Sequence, residues 1–140
     1  MFDFATGVQS LSQGFLPFLV YFIVGLGLLS LFAAAYVKAT PHKELELVKN
    51  NNIAAAISFA GALVGFAIPL SNLIVQSVTV FEFIFWGVAS GLVQLGTFFL
   101  FRVVFPHISA RIEAGEVAAP TALAAMHIVV GLINAASLTY

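Results

Sequence analysis

The chain of 140 residues contains no cysteine, which excludes disulfides, thiolate metal sites and cysteine nucleophiles. It also holds little charge: five Lys and Arg and six Asp and Glu, 8% of the residues. A soluble domain carries roughly 25% charged residues, so this chain cannot cover a soluble surface. The net charge of −1 offers no electrostatic footprint for nucleic acid, and no nucleic-acid partner is expected. There is no Gly-rich phosphate loop and no Gly-x-Ser-x-Gly nucleophile elbow, so neither an enzymatic role nor a cofactor is expected. The N-terminal stretch, 1–13, lacks the basic opening of a signal peptide, and no cleavage is expected.

What is abundant is apolar side chain, 61% of the residues with a mean hydropathy of +1.09. About 20 apolar residues cross the hydrocarbon core of a bilayer. Four runs fit: about 15–37, 53–75, 83–101 and 117–138. The expectation is an all-α membrane protein with four transmembrane helices in one membrane domain, its main partner the lipid bilayer. A β-barrel is excluded because barrel strands alternate polar and apolar residues. The connection 76–82 is short, so the second and third helices form a hairpin. Ahead of the first run, Phe4, Val8, Leu11 and Phe15 fall at helical spacing. They fit either an amphipathic lead-in at the interface or an extension of the first helix.

All five basic residues gather at two connections. Lys38, Lys43 and Lys49 lie in or beside the first, Arg102 and Arg111 in or beside the third. By the positive-inside rule both connections are cytoplasmic, and both termini and the 76–82 hairpin face outward. Trp86, Phe85, Tyr21 and Phe22 then fall near the outer ends of helices, where aromatic rings prefer the interface.

Shifting the chain by 64 residues, which takes Lys38 onto Arg102, superposes its halves. Val24, Gly27, Leu28 and Leu31 fall on Val88, Gly91, Leu92 and Leu95, and Ile53-Ala54-Ala55 on Val117-Ala118-Ala119. With one residue of slip, Pro41-His42 meets Pro106-His107. The expected organisation is two tandem helix pairs, about 14–77 and 78–140. Each pair has an even number of spans, so both point the same way, unlike the inverted repeats of many transporters.

The stretch Glu46-Leu47-Val48-Lys49, Asn52-Ile53-Ala54-Ala55-Ala56-Ile57 with Gly61 and Gly65, and its echo Gly115-Glu116-Val117-Ala118-Ala119, resembles the YjfL-like family of small bacterial inner-membrane proteins. The likeness covers most of the chain. It implies a multi-pass protein of the bacterial inner membrane and carries no settled biochemical function. The family usually has Gly where this chain has Asn51, and both residues tolerate a left-handed backbone.

Within the second run, Ala54, Ser58, Gly61, Gly65, Pro69, Asn72 and Gln76 share one helical face. Small residues on such a face let helices approach closely. Gly87 and Gly91 repeat the pattern on the third run, and Gln94 continues that face. Pro69 lacks an N–H and frees the carbonyl of Gly65, which a neighbour, water or an ion must then satisfy. His127 falls near the middle of the fourth run, where an ionisable group is a functional candidate. Gly131 and Asn134 follow on its face; Ser30 and Gln94 fall at a similar depth, and Asn72 with Asn134 in a second layer. These polar residues are either glue between helices or steps along a path.

Each basic connection reads as a short interfacial helix, with Pro41 or Pro106 in its first turn. Asn52 is a good N-cap for the second run, and Glu116 favours the positive end of the fourth. His42, His107, Glu44, Glu46, Glu113 and Glu116 have no recognised ligand spacing. They read as a solvated charged interface, and no metal is expected. Small four-span multidrug exporters use a buried Glu in their first helix, which this chain lacks.

The resulting expectation is a small homo-oligomeric structural or regulatory component that binds other membrane or envelope-stress proteins. Its glycine-rich faces are the reason to expect copies to associate. The alternative is an oligomeric ion or small-solute channel or transporter with a path along Ser58, Asn72, Gln94, His127 and Asn134.

Overall fold

The computed structural model describes residues 3–138. Residues 1–2 of the N-terminal stretch and 139–140 of the second expected repeat lie outside the described residues. The chain is helical throughout: α1 (Phe4–Ala39), α2 (Glu44–Lys49), α3 (Ile53–Gln76), α4 (Val80–Val104), α5 (Ile108–Glu113) and α6 (Ala118–Ser137). The four longer helices are long and apolar enough to cross a membrane. The short α2 and α5 lie at one end of the bundle with Lys38 and Arg102, here called the basic end.

Local chemistry sets the helix ends. Asp3 caps α1, accepting from the Ala5 amide at 3.1 Å and the Thr6 hydroxyl at 2.7 Å. Those bonds, the Thr6 bond first, hold its carboxyl below the usual carboxylate range. Asn52 caps α3, its side-chain oxygen accepting from Ala55 N–H at 2.9 Å. Asn51 before it takes a left-handed φ of 65°. Thr79 caps α4 by accepting from Glu82 N–H at 3.1 Å, and the Glu82 carboxylate accepts from Val78 N–H at 3.0 Å. This reciprocal arrangement resembles a capping box. It shortens the hairpin connection to 77–79.

At the ends one open alternative is decided and two sequence expectations change. The stretch before the first run is no separate interfacial helix; it continues α1 without a break for 36 residues in all. Pro41 and Pro106 stand before α2 and α5 in the preceding turns, not inside their first turns. Glu116 lies outside α6, where Val117 is the N-cap, and faces Arg111 at 3.9 Å.

The core forms where α3 and α6 meet, with α4 against both. α1 lays Leu28, Phe32 and Tyr36 along the same core. Phe32 stacks on Phe66 with centroids 4.5 Å apart, and Tyr36 meets Phe98 edge-on at 5.7 Å. Tyr21 donates to the Ser77 carbonyl in the hairpin turn at 3.4 Å. This contact marks the level where the bundle ends, and residues 3–18 beyond it are all exposed.

Candidate functional site

The α3–α6 seam is built on absent side chains. A Cβ at Gly61 would overlap the backbone and Cβ of Ala124, and one at Gly65 would overlap the His127 carbonyl. Gly131 returns the contact, its Cβ position overlapping the Gly65 carbonyl. The two backbones therefore touch. The glycine stripe is filled by another helix of the same chain, which removes the reason for assigning it to a second copy. On α4, Gly87 and Gly91 receive α1 and α3 instead: Leu28 Cδ1 lies 2.8 Å from the Gly87 Cβ position and Phe66 3.6 Å from that of Gly91.

Gln94 closes the seam from α4. Its side-chain amide donates to Gly65 O at 3.0 Å and to His127 O at 3.1 Å. Both acceptors are carbonyls, so the amide orientation is fixed and Oε1 faces His127 Nδ1 at 2.6 Å. His127 must then carry its proton on Nδ1, leaving Nε2 as an unshared lone pair when the ring is neutral. Gln94 and His127 are both fully buried. Pro69 is buried on α3, one helical turn beyond Gly65, and the carbonyl that it releases is the one Gln94 takes.

The remaining candidates are more scattered. Asn72 donates to Ala135 O at 2.9 Å and accepts from Gln76 at 2.9 Å. Asn134 is half-buried, and its amide nitrogen has no partner among the described residues. Ser58 is buried and bonds back to Ala55 O at 3.1 Å. Ser30 does not join the Gln94–His127 layer: it is exposed, with its hydroxyl on Leu26 O at 2.8 Å.

At the basic end the structure departs from a solvated interface. His42 and Glu44 are buried. His42 Nε2 lies 2.6 Å from Glu44 Oε1, and His42 Nδ1 lies 2.9 Å from the Ser109 hydroxyl. α5 covers the pair, and Asn52 fastens it there by donating to Ile112 O at 3.0 Å. Tyr36 is buried nearby, its ring edge-on to His127 at 5.6 Å and to Phe98 at 5.7 Å. Tyr36 was not among the sequence-derived candidates, and His42 and Glu44 were weighed there as metal ligands and read as part of a solvated charged interface. The only sequence signal was the doubled Pro-His pair. Among the described residues, no group of three or more His, Asp or Glu is placed to hold a metal ion.

Four membrane-length helices around a hydrogen-bonded polar centre define a multi-pass α-helical membrane protein. Residues 10–138 match the Domain of Unknown Function (DUF350), and the chain belongs to that family. It is 35% identical over 125 residues to the UPF0719 inner membrane protein YjfL of Escherichia coli (strain K12), covering 89% of this chain and 95% of that protein. The same figures hold for the YjfL of Escherichia coli O157:H7. No solved structure matches the chain significantly.

Proposed function

We propose that this protein is a structural or regulatory component of the inner membrane that acts by docking, with its own copies and with other envelope proteins, and not by catalysis. The observation that carries the reading is the free end of α1. Tyr21 is level with the hairpin turn, so most of the 17 residues from Phe4 to it (21 − 4) run past the bundle, roughly 25 Å at 1.5 Å per residue. That arm presents Phe4, Val8, Leu11, Phe15 and Phe18 on one face, Phe4 86% and Leu11 75% exposed. Thr6, Gln9, Ser10 and Gln13 lie on the others. The whole helix is about 54 Å long, against ~40–45 Å for a bilayer with its headgroups. An apolar stripe that leaves the bilayer calls for a protein surface, and a second copy of the arm offers a matching one.

Both connections rich in Lys and Arg are read as cytoplasmic, so the arm lies on the outer side. A tandem duplication is supported by secondary structure as well as by sequence. α2 and α5 each have six residues and start 64 apart (108 − 44), and the two left-handed residues, Asn51 and Gly115, are also 64 apart (115 − 51). A conduit through one chain is the weaker reading, because Gln94, His127 and Asn72 spend hydrogen bonds on neighbouring helices.

The test is the mass of the assembly in lipid nanodiscs or mild detergent. The wild type is expected to form oligomers, and Leu11→Gln with Phe15→Gln to shift them to monomers without unfolding the bundle. A monomeric wild type, or an oligomer indifferent to both changes, would remove the arm from assembly.

A further inference from the structure

Three polar atoms near the basic end are buried without a hydrogen-bond partner among the described residues: Tyr36 Oη, Glu44 Oε2 and His127 Nε2. They come from α1, α2 and α6, and all three residues are 0% exposed. They are also neighbours. The Tyr36 and His127 rings meet edge-on at 5.6 Å, and Tyr36 shares the Phe98 ring with His42, the partner of Glu44, at centroid distances of 5.7 and 6.5 Å. Buried polar groups that protein leaves unpaired are the usual hosts of internal water, each water making about three hydrogen bonds.

His42 and Ser109 connect this group to the outside. Glu44 Oε1 holds His42 Nε2, and His42 Nδ1 meets the part-exposed Ser109. A serine hydroxyl can donate to a neutral imidazole or accept from a charged one. The contact therefore survives the arrival of a proton. At the far end, His127 Nε2 is the unshared lone pair that the Gln94 geometry leaves.

We propose that Ser109, His42, Glu44, Tyr36 and His127 form a closed-ended proton relay, with internal water among the three unpartnered atoms, that loads His127 from the basic end. A proton from that side binds His42 Nδ1, and the Ser109 hydroxyl turns from donor to acceptor. His42 passes its Nε2 proton to Glu44. The carboxyl rotates and gives this proton, through the internal water, to the Tyr36 oxygen, while the Tyr36 hydroxyl releases its own proton, again through internal water, to His127 Nε2. No electrons move. The net change is one proton from solvent to His127, with Glu44 ionised again and His42 in its other neutral tautomer. The reverse sequence unloads and resets the relay.

The relay stops at His127. Gln94 has committed its amide hydrogens to two carbonyls and its oxygen to His127 Nδ1. The device senses proton activity on one side of the membrane instead of carrying protons across. It stands independently of docking by the α1 arm. Other charged groups around it face outward: Lys38, Lys43, Glu46, Arg102, Arg111 and Glu113 are exposed, as is His107. The polar side chains buried on α3, α4 and α6 are Ser58, Ser90, Gln94, Thr97 and His127, of which only His127 titrates.

The test uses the full chain in lipid nanodiscs with nitrogen-labelled histidine, and NMR in acidic buffer that loads His127, to read exchange of its Nε2 proton with bulk water. Tyr36→Phe keeps the aromatic packing and removes one link. Exchange at His127 is expected to slow by about 10²-fold, the low end of what a positioned proton-transfer group contributes, while the exposed His107 ring is unaffected. Glu44→Gln, where it folds, is expected to do the same. Unchanged His127 exchange in folded Tyr36→Phe overturns the relay. A steady proton current across vesicles that Tyr36→Phe abolishes overturns its closed end.

Discussion

The side-chain amide of Gln94 lies 3.0 Å from the carbonyl oxygen of Gly65, the acceptor that Pro69 leaves without its helical donor. One residue on α4 thereby repairs a defect in α3, and its two other bonds, to the backbone and the ring of His127, tie in α6. Three helices share a single amide.

Gln94→Leu removes all three bonds. Interhelical hydrogen bonds in membranes average about 0.6 kcal/mol, so the expected loss is about 2 kcal/mol. Pro69→Ala restores a backbone donor to Gly65, and in that background Gln94→Leu is expected to cost less. Unfolding in mixed micelles, run as a double-mutant cycle, reads both terms. Strict additivity would mean that Gln94 does not compensate for the proline.

The glycines divide sharply by position. Gly65→Ala pushes a methyl into the His127 carbonyl, a backbone atom that cannot step aside. Overpacking of this kind costs about 1–3 kcal/mol. Gly27 and Gly96 face open space, and Ala there is expected to be neutral or to stabilise by up to about 1 kcal/mol through helix propensity. Thermal unfolding of the three single variants separates these outcomes. Equal effects at all three positions would contradict direct backbone contact between α3 and α6.

His42 and Glu44 form a buried pair, whereas Lys43 and Glu46 form an exposed one at 3.6 Å. Removing one partner of a buried pair costs about 3–5 kcal/mol. Removing one partner of an exposed pair costs about 0–1 kcal/mol. Glu44→Ala is therefore expected to destabilise strongly and Glu46→Ala hardly at all, as measured by urea unfolding in micelles. Comparable effects would place His42 and Glu44 in solvent.

Much of the polar centre was legible in the sequence because it follows from local rules. Proline fixes which carbonyl is released, and helical spacing puts Gly61, Gly65 and Pro69 on one face. Which side chain would reach that carbonyl was not legible, since Gln94 is 29 residues away from Gly65 and its approach depends on how α4 docks. The same limit hid the His42–Glu44 pair. Charged residues beside a membrane helix read as solvated, and only the folding of α5 over them, 67 residues on at Ser109, takes them out of water. Ser30 failed in the opposite way: its depth was inferred from span centres, but its direction around α1 turns it outward.

Orientation is open to chemical labelling because the native chain has no cysteine. Val78→Cys in the hairpin and Glu113→Cys at the basic end are both exposed positions. In intact cells the first is expected to react with a membrane-impermeant thiol reagent, and the second only after the membrane is opened. The reverse pattern would invert the topology and put the α1 arm in the cytoplasm.

The Gln94–His127 layer is closed by hydrogen bonds within the chain, and the protein is therefore expected to dock and sense without carrying solutes across. The most direct measurement is proton and cation flux into liposomes holding the full-length wild type, across the range of pH over which free imidazole titrates, about 5–8. The expected result is no flux above protein-free liposomes at any pH, in the wild type and in His127→Gln alike. A flux present in the wild type and abolished by His127→Gln would contradict the closed centre and make the Gln94–His127 layer part of a path.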